Sequence, residues 1–303
     1  MKTKFFCILP IILITLAGCQ KEEDITQNDN TEKVTTEGIY TLTVEAIKKV
    51  DTKALALDGN TLNATWASGE KVGVYVNGTY CGQLSATPKA DATKATLSGT
   101  LTSTAGIVAD ATILLLFPDR SDHAWDYTGQ AGAAPGGDLA ARFDYATATL
   151  TISEVNNVNN TVITNGTAAF QNEQSVYRFS FSDGSGLIAP KGFTITSSGN
   201  TLVQNISYNG GAWTPSYGSI TVTPTAAVDG NLYYVSLRND HTTDDTYSFV
   251  ITGSDDALYM TSKGIPASVL AAPGKFISAK NINATKPDFA PASGEVSDPL
   301  EVL

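Results

Sequence analysis

Residue types on which much protein chemistry depends are scarce in this sequence. Among 303 residues there are three cysteines, two histidines and four arginines, and charged residues make up only 16% of the chain. Three cysteines are too few for a disulfide-rich scaffold or a four-cysteine zinc site. The 19 basic residues face 30 acidic ones, and the net charge of −11 argues against nucleic acid as a partner.

Threonine and aromatic residues are abundant instead. The chain holds 39 threonines, 12 tyrosines and 11 phenylalanines, and 42% of its residues are hydrophobic. β-Branched and aromatic side chains favour strands, and at roughly 150 residues per domain the length suggests about two domains. The expected class is therefore all-β with little helix. Only 138–142 and 266–271 are predicted to form a turn or two of helix.

The first 19 residues have the features of a targeting segment. Lys2 and Lys4 precede an apolar run of about a dozen residues, which is too short to cross ~30 Å of hydrocarbon as a helix. We expect a signal peptide at 1–18. The small residues before Cys19 resemble a bacterial lipobox, which implies cleavage before Cys19 and diacylation of Cys19, with palmitate among the chains. The alternative is an ordinary secretory leader with an incidental cysteine.

Residues 19–37 are predicted to form a flexible tether, because the stretch is polar and has few apolar residues. Its acidic start resembles the export signal that sends lipoproteins of Bacteroidales to the outer leaflet of the outer membrane; a plain solvated tether is the alternative. With Cys7 in the leader and Cys19 acylated, Cys81 is left as a small apolar side chain in a sheet.

From Gly38 onward, short strand-like runs alternate with Gly, Asn, Asp and Pro turns, a pattern typical of β-sandwiches. The strand candidates are 39–46, 71–76, 95–101, 112–117, 146–152, 176–182, 193–197, 202–208, 219–223, 232–237, 247–252 and 275–282. We predict two domains, at 38–155 and 156–285, and an extended tail at 286–303. The polar run 154–161 is the candidate junction, or else a loop within the second domain.

Six segments, in order, resemble fimbrillin-like lipoproteins of Bacteroidales, the type V pilin superfamily. They are 65–75 (TWASGEKVGVY), 126–130 (DYTGQ), 138–148 (DLAARFDYATA), 170–179 (FQNEQSVYRF), 232–239 (LYYVSLRN) with 247–249 (YSF), and 273–276 (PGKF). The resemblance implies two consecutive β-sandwich domains of transthyretin-like topology. It also implies a fimbrial subunit or an accessory or tip component, anchored in the outer membrane, surface-exposed, and bound to other fimbrial subunits and to a host or bacterial surface ligand.

The resemblance further implies assembly by strand exchange, in which a trypsin-like protease cuts after a basic residue and the first strand is lost. Within 39–46, Tyr40, Leu42, Val44 and Ala46 alternate with polar residues and form the candidate removable strand. The lysines that follow are the candidate processing sites: Lys48, Lys49 and Lys53. A solvated turn beside an edge strand is the alternative.

The tail supplies the candidate donor strand, through Val296, Leu300 and Val302. Pro299 lies among them and lacks the N–H group that a central strand donates. A tail that is merely an extended end is the alternative.

No catalytic residue, metal site or cofactor is predicted, and we expect a protein that is not an enzyme. The segment Ser121–His123 is contiguous, whereas a catalytic triad converges from distant segments. The acidic run 240–245 lacks the spacing and glycine of a calcium loop. The rival function is a surface glycan-binding lipoprotein that does not polymerise, with Trp125 and Tyr127, or Trp213 and Tyr217, as an aromatic platform.

Overall fold

The computed structural model describes most of the chain between Gly38 and Pro287. The described residues are 38–48, 56–58, 61–63, 65–103, 106–133, 138–225, 231–240, 243–270 and 273–287. They are almost entirely strand, with two short helices, so the expected all-β class is confirmed. The arrangement as two β-sandwich domains stays a prediction.

The strands and helices are numbered along the chain. The strands are β1 Gly38–Lys48, β2 Ala56–Asp58, β3 Thr61–Asn63, β4 Lys71–Val76, β5 Thr79–Pro88, β6 Lys94–Ser103, β7 Thr112–Phe117, β8 Ala124–Asp126, β9 Ala146–Asn156, β10 Thr161–Thr164, β11 Ala168–Asn172, β12 Ser175–Ser182, β13 Leu187–Ile188, β14 Pro190–Ser197, β15 Val203–Asn209, β16 Ala212–Tyr217, β17 Ile220–Val222, β18 Tyr233–Leu237, β19 Asp245–Gly253, β20 Leu258–Ile265 and β21 Phe276–Asn283. The helices are α1 Asp138–Phe143 and α2 Ala267–Leu270.

The first sheet has eight strands and closes on itself. Its order is β10-β1-β11-β9-β7-β4-β5-β6, and β6 at the end of this order pairs again with β1. Alternating side chains from all these strands meet inside, where they form one core of buried apolar residues. Strand β1 is therefore the element that joins the last strand of the sheet to the first.

The asparagine-rich run expected to join two domains lies inside this sheet. It forms the connection between β9 and β10, which pair antiparallel from Thr161 opposite Asn156 onward. Asn160 adopts a positive φ of 53°, as tight turns require. Within the described residues the first sheet continues to Asn172, and the domain limits at 155 and 156 stay predictions.

The remaining strands build a second core, rich in aromatic rings. Strand β12 pairs with β13, β18 and β21, while β14, β17, β19 and β20 form another sheet. The rings of Phe179, Phe181, Phe193 and Phe249 pack edge to face between these sheets, with centroids 5.1–5.4 Å apart for the closest pairs. A further sheet of three strands, in the order β16-β15-β8, includes β8 from the first half of the chain.

Candidate functional site

Strand β1 has one buried face and one exposed face along its whole length. The side chains of the candidate removable strand all point inward, with Tyr40 3%, Leu42 0%, Val44 4% and Ala46 1% exposed. The intervening residues at 41, 43 and 45 are exposed. The period of two that indicated a half-buried strand in the sequence is thus present, and the inward residues are part of the first core.

Hydrogen-bonding neighbours flank β1 on both sides. It pairs antiparallel with β6 over ten residues, from Gly38 opposite Ser103 to Ile47 opposite Lys94. On the other side it pairs in parallel with β10 near Thr41 and with β11 near Ala46. It is therefore not an edge strand, and without it both β6 and the β10–β11 side would present unpaired backbone groups.

The exposed face of β1 contributes few and weak interactions. Thr43 shares a hydrogen bond of 3.1 Å with Ser98, and the Glu45 carboxylate accepts one of 3.1 Å from Thr96 and faces the Lys89 ammonium. Exposed ion pairs of this kind contribute about 0–1 kcal/mol. The buried face and the backbone ladder therefore hold β1 in place.

Lys48, the last residue of β1, is buried rather than solvated, with 5% of its side chain exposed. Its Nζ atom lies 3.0 Å from Glu70 Oε2 and 2.9 Å from the carbonyl oxygen of Thr65. The same atom lies 4.0 Å and 4.2 Å from the ring centroids of Trp66 and Phe117. Burial lowers the pKa of Lys48, and the Glu70 carboxylate partly offsets that shift.

Several residues singled out in the sequence lie outside the described part of the chain. These are the acylation candidate Cys19, the processing candidates Lys49 and Lys53, and the donor candidates Val296, Leu300 and Val302. Their roles stay predictions.

The sequence reasoning missed the residues around the Lys48 ammonium. Trp66 and Glu70 belong to the segment that resembles fimbrillin-like proteins, but nothing in their spacing points to Lys48. Glu70 also accepts a hydrogen bond of 3.0 Å from the backbone N–H of Ala67, which fixes the carboxylate before the start of β4. The only available signal was a tryptophan and an acidic residue four positions apart.

The described residues do not form a catalytic triad or a calcium site from the side chains considered in the sequence. His123 packs against the rings of Tyr75 and Tyr80. Asp240 pairs with Arg238, and Asp245 is buried among hydroxyl groups. No group of three His, Cys, Asp or Glu side chains in the described parts of the chain is placed to hold a metal ion. No helix in those parts is long and apolar enough to span a bilayer.

Of the two aromatic pairs named for the alternative glycan-binding function, Trp125 and Tyr127 cannot form an exposed platform. Trp125 and Tyr127 are fully buried in the second core. Trp213 is partly buried against Trp125 and Tyr208, with ring centroids 6.0 and 4.8 Å apart, which leaves Tyr217 as the exposed member of its pair. Cys81 is buried in β5, as expected of a small apolar side chain.

Comparisons with known proteins return structural neighbours only. No family model and no curated protein matches the sequence. The fimbrial anchor protein Mfa2 from Porphyromonas gingivalis is 12% identical, with 79% of this chain and 90% of that chain covered and a TM-score of 0.40. A protein from Bacteroides ovatus ATCC 8483, to which a role in cell adhesion has been ascribed, is 11% identical, with 83% and 97% covered and a TM-score of 0.41.

A third neighbour is the shaft pilin spaA from Lactobacillus rhamnosus GG. It is 13% identical, with 84% of this chain and 100% of that chain covered and a TM-score of 0.34. Because all three TM-scores are below 0.5, these likenesses decide neither the detailed fold nor the function.

Proposed function

We propose that this chain is a cell-surface fimbrial subunit, or an accessory or tip component, that assembles by exchanging β1 for a strand of a neighbouring subunit and so takes part in adhesion. The observation that carries the proposal is the position of β1. It is the first described element of the fold, yet it closes the first sheet and fills its core. A strand at the start of the fold can leave without breaking any later connection.

Strand addition suits the groove that β1 occupies. Its inward side chains include Leu42 and Val44, and burying a residue of this size contributes about 1.5–3 kcal/mol. The backbone ladders on both sides add hydrogen bonds, and buried groups left unpaired cost about 1–3 kcal/mol each. An empty groove is therefore strongly unfavourable. An incoming strand restores both the apolar burial and the backbone hydrogen bonds.

Among the processing candidates, Lys49 and Lys53 suit a trypsin-like protease better than Lys48 does. Such a protease must take the basic side chain into its own pocket, and the Lys48 ammonium is already enclosed by Glu70 and two aromatic rings. We place the cut after Lys49 or Lys53. Either cut leaves β1 attached to the fold only through non-covalent contacts.

The rest of the proposal follows the sequence. Acylation of Cys19 holds the precursor at the outer membrane, facing outward, and residues 19–37 span the distance to the fold. After the cut, β1 stays with the lipid anchor and the remainder joins other fimbrial subunits. Val296, Leu300 and Val302 are the donor candidates for a neighbouring subunit. The role is structural, without catalytic residue, metal or cofactor.

N-terminal sequencing of the protein recovered from surface filaments tests the proposal. We expect assembled protein to begin after Lys49 or Lys53, and the Lys49→Ala/Lys53→Ala double variant to give monomers only. Lys191→Ala, which alters an exposed lysine on β14 that pairs with Asp256 and not with β1, serves as the control and assembles normally. Filaments made of protein that still begins at Cys19 would contradict the proposal.

A further inference from the structure

The groups that enclose the Lys48 ammonium form a defined site, which we term the Lys48 cage: Glu70, the carbonyl group of Thr65, and the rings of Trp66 and Phe117. The carboxylate supplies the charge, and the faces of both rings supply further attraction for a cation. Trp66 is fixed edge-on against Phe117, with ring centroids 5.4 Å apart. A compact cation is thus bound on several sides.

The residues that form the walls of the cage belong to segments other than β1. Thr65, Trp66 and Glu70 lie directly before β4, and Phe117 ends β7. The backbone of this segment is held by hydrogen bonds from Trp66 N to Ala92 O (2.7 Å), from Gly69 N to Ala86 O (2.9 Å) and from Ala86 N to Glu70 O (2.8 Å). None of these partners belongs to β1, so these three backbone bonds can persist when β1 leaves.

Removal of β1 also removes Lys48, because every candidate cut lies at or after it. Glu70, whose side chain is 28% exposed, then keeps its hydrogen bond from the Ala67 N–H but loses its counter-ion. A replacing strand with an apolar or acidic residue at this position fills the groove but leaves the charge uncompensated. A strand with a cation there restores the pair.

We infer that the Lys48 cage is a specificity site for the strand that replaces β1. The inference rests on the proposed strand exchange. It states that the incoming strand carries apolar residues at the positions of Tyr40, Leu42, Val44 and Ala46 and a lysine or arginine two positions later, in place of Lys48. Lysine suits the site best, because its ammonium is compact, and arginine is accepted through the same ring faces.

The inference identifies the partner as a different chain. Residues 288–303 of this sequence contain the donor candidates Val296, Leu300 and Val302 but neither lysine nor arginine. Lys286, just before them, lies 3.6 Å from Asp255 and over the ring of Tyr259, within the same fold. Residues 288–303 of a second copy therefore lack the cation that the cage selects. The acceptor groove takes a strand from another subunit.

A peptide-exchange experiment on the nicked protein tests this. The unlipidated chain from residue 20 receives a site for a sequence-specific protease within 50–55 and is cut there, so that β1 is held only non-covalently. Labelled peptides are then added in excess: residues 38–48, the same peptide with Lys48→Met or Lys48→Arg, the same peptide with the exposed Thr43→Met as matched control, and residues 288–303. The apparent dissociation constant of each is measured.

We expect the 38–48 peptide and its Thr43→Met control to replace resident β1 with similar affinity, the Lys48→Met peptide to bind at least tenfold more weakly, and the 288–303 peptide not to compete. In an acceptor with Glu70→Gln, the difference between lysine and methionine peptides should shrink, as a double-mutant cycle requires for a direct pair. Equal binding of the lysine and methionine peptides would overturn the inferred specificity of the Lys48 cage but would leave strand exchange intact. Failure of every peptide, including 38–48, would overturn strand exchange itself.

Discussion

The side-chain amide of Gln130 bonds to the backbone of Ser236 on both sides, as a neighbouring strand would. Its Nε2 atom donates to the Ser236 carbonyl oxygen at 2.7 Å, and its Oε1 atom accepts from the Ser236 N–H at 2.8 Å. Nε2 also donates to the carbonyl oxygen of Tyr127 at 2.9 Å. Gln130 is 1% exposed, so these bonds tie the segment after β8 to β18 in the dry interior of the second core.

Replacing Gln130 should therefore destabilise the fold markedly. Gln130→Leu leaves buried backbone groups of Ser236 and Tyr127 unpaired, and each such group costs about 1–3 kcal/mol. We expect a loss in the free energy of unfolding on the order of 2–5 kcal/mol, measured by urea denaturation. Gln83→Leu, at an exposed position of β5, is the matched control and should change the midpoint little.

Asp245 makes the stability depend on acidic pH. Burial alone would raise the pKa of Asp245, but hydrogen bonds from the hydroxyl groups of Ser197, Thr201 and Ser198 outweigh it and hold this pKa well below its usual range. A carboxylate with a lowered pKa contributes stability above its unfolded pKa, near 4, and loses it as the pH falls through the folded value.

The free energy of unfolding of the native protein should accordingly exceed that of Asp245→Asn by more at pH 7 than at pH 3. Urea denaturation at both values measures it. Asp110→Asn is the control, because Asp110 is exposed and has a positive φ of 63° that asparagine adopts equally well. An equal difference at both pH values would show that the hydroxyl cluster does not favour the ionised carboxylate.

Lys48 makes the stability depend on pH in the alkaline range, again with stability rising as the pH rises. Because burial lowers its pKa in the folded state, the unfolded chain binds more protons between that value and about 10.5. The stability of the native protein relative to Lys48→Met should therefore rise as the pH increases from 7 to 10. Tyrosine ionisation affects both proteins alike and cancels in the difference. A flat difference over this range would contradict the buried state of the ammonium.

Gly99 stands opposite Leu42, where β6 passes between β1 and β5. A Cβ atom added at Gly99 would clash with the carbonyl oxygen of Gln83, so β5 or β6 would have to move. We expect Gly99→Ala to lower the free energy of unfolding by about 1–3 kcal/mol. Gly264→Ala, an exposed position of β20 with no atom within 4 Å of the added Cβ, should be neutral or slightly stabilising.

Much of the fold could be predicted because its strands carry a clear pattern. The runs at 71–76 and 112–117 match β4 and β7 residue for residue, since apolar residues line them and turn residues bound them. The turn at Asn77-Gly78 has the positive φ values, 49° and 83°, that its residues favour. Among the strands that were not predicted, β5, β16 and β20 are interrupted by polar residues, glycine or proline and have much of their surface exposed.

The site could be predicted only in part, for a physical reason. The alternation of Tyr40, Leu42, Val44 and Ala46 is local, so it is visible in the sequence. The burial of Lys48 is not local. A lysine is normally exposed, and here Glu70, 22 residues away, encloses it together with the rings of Trp66 and Phe117. Such a pairing depends on which distant strands come into contact, and a local sequence pattern does not specify that.

Locking β1 to its neighbour tests the central claim most directly. Thr43 and Ser98 stand opposite each other on β1 and β6, with hydroxyl oxygens 3.1 Å apart, which suits a Thr43→Cys/Ser98→Cys disulfide. We expect the oxidised variant to remain monomeric after the protease cut and to form polymers once a reductant opens the bond, as measured by electron microscopy and gel electrophoresis. Polymers that form equally well with the disulfide intact would contradict the exchange of β1.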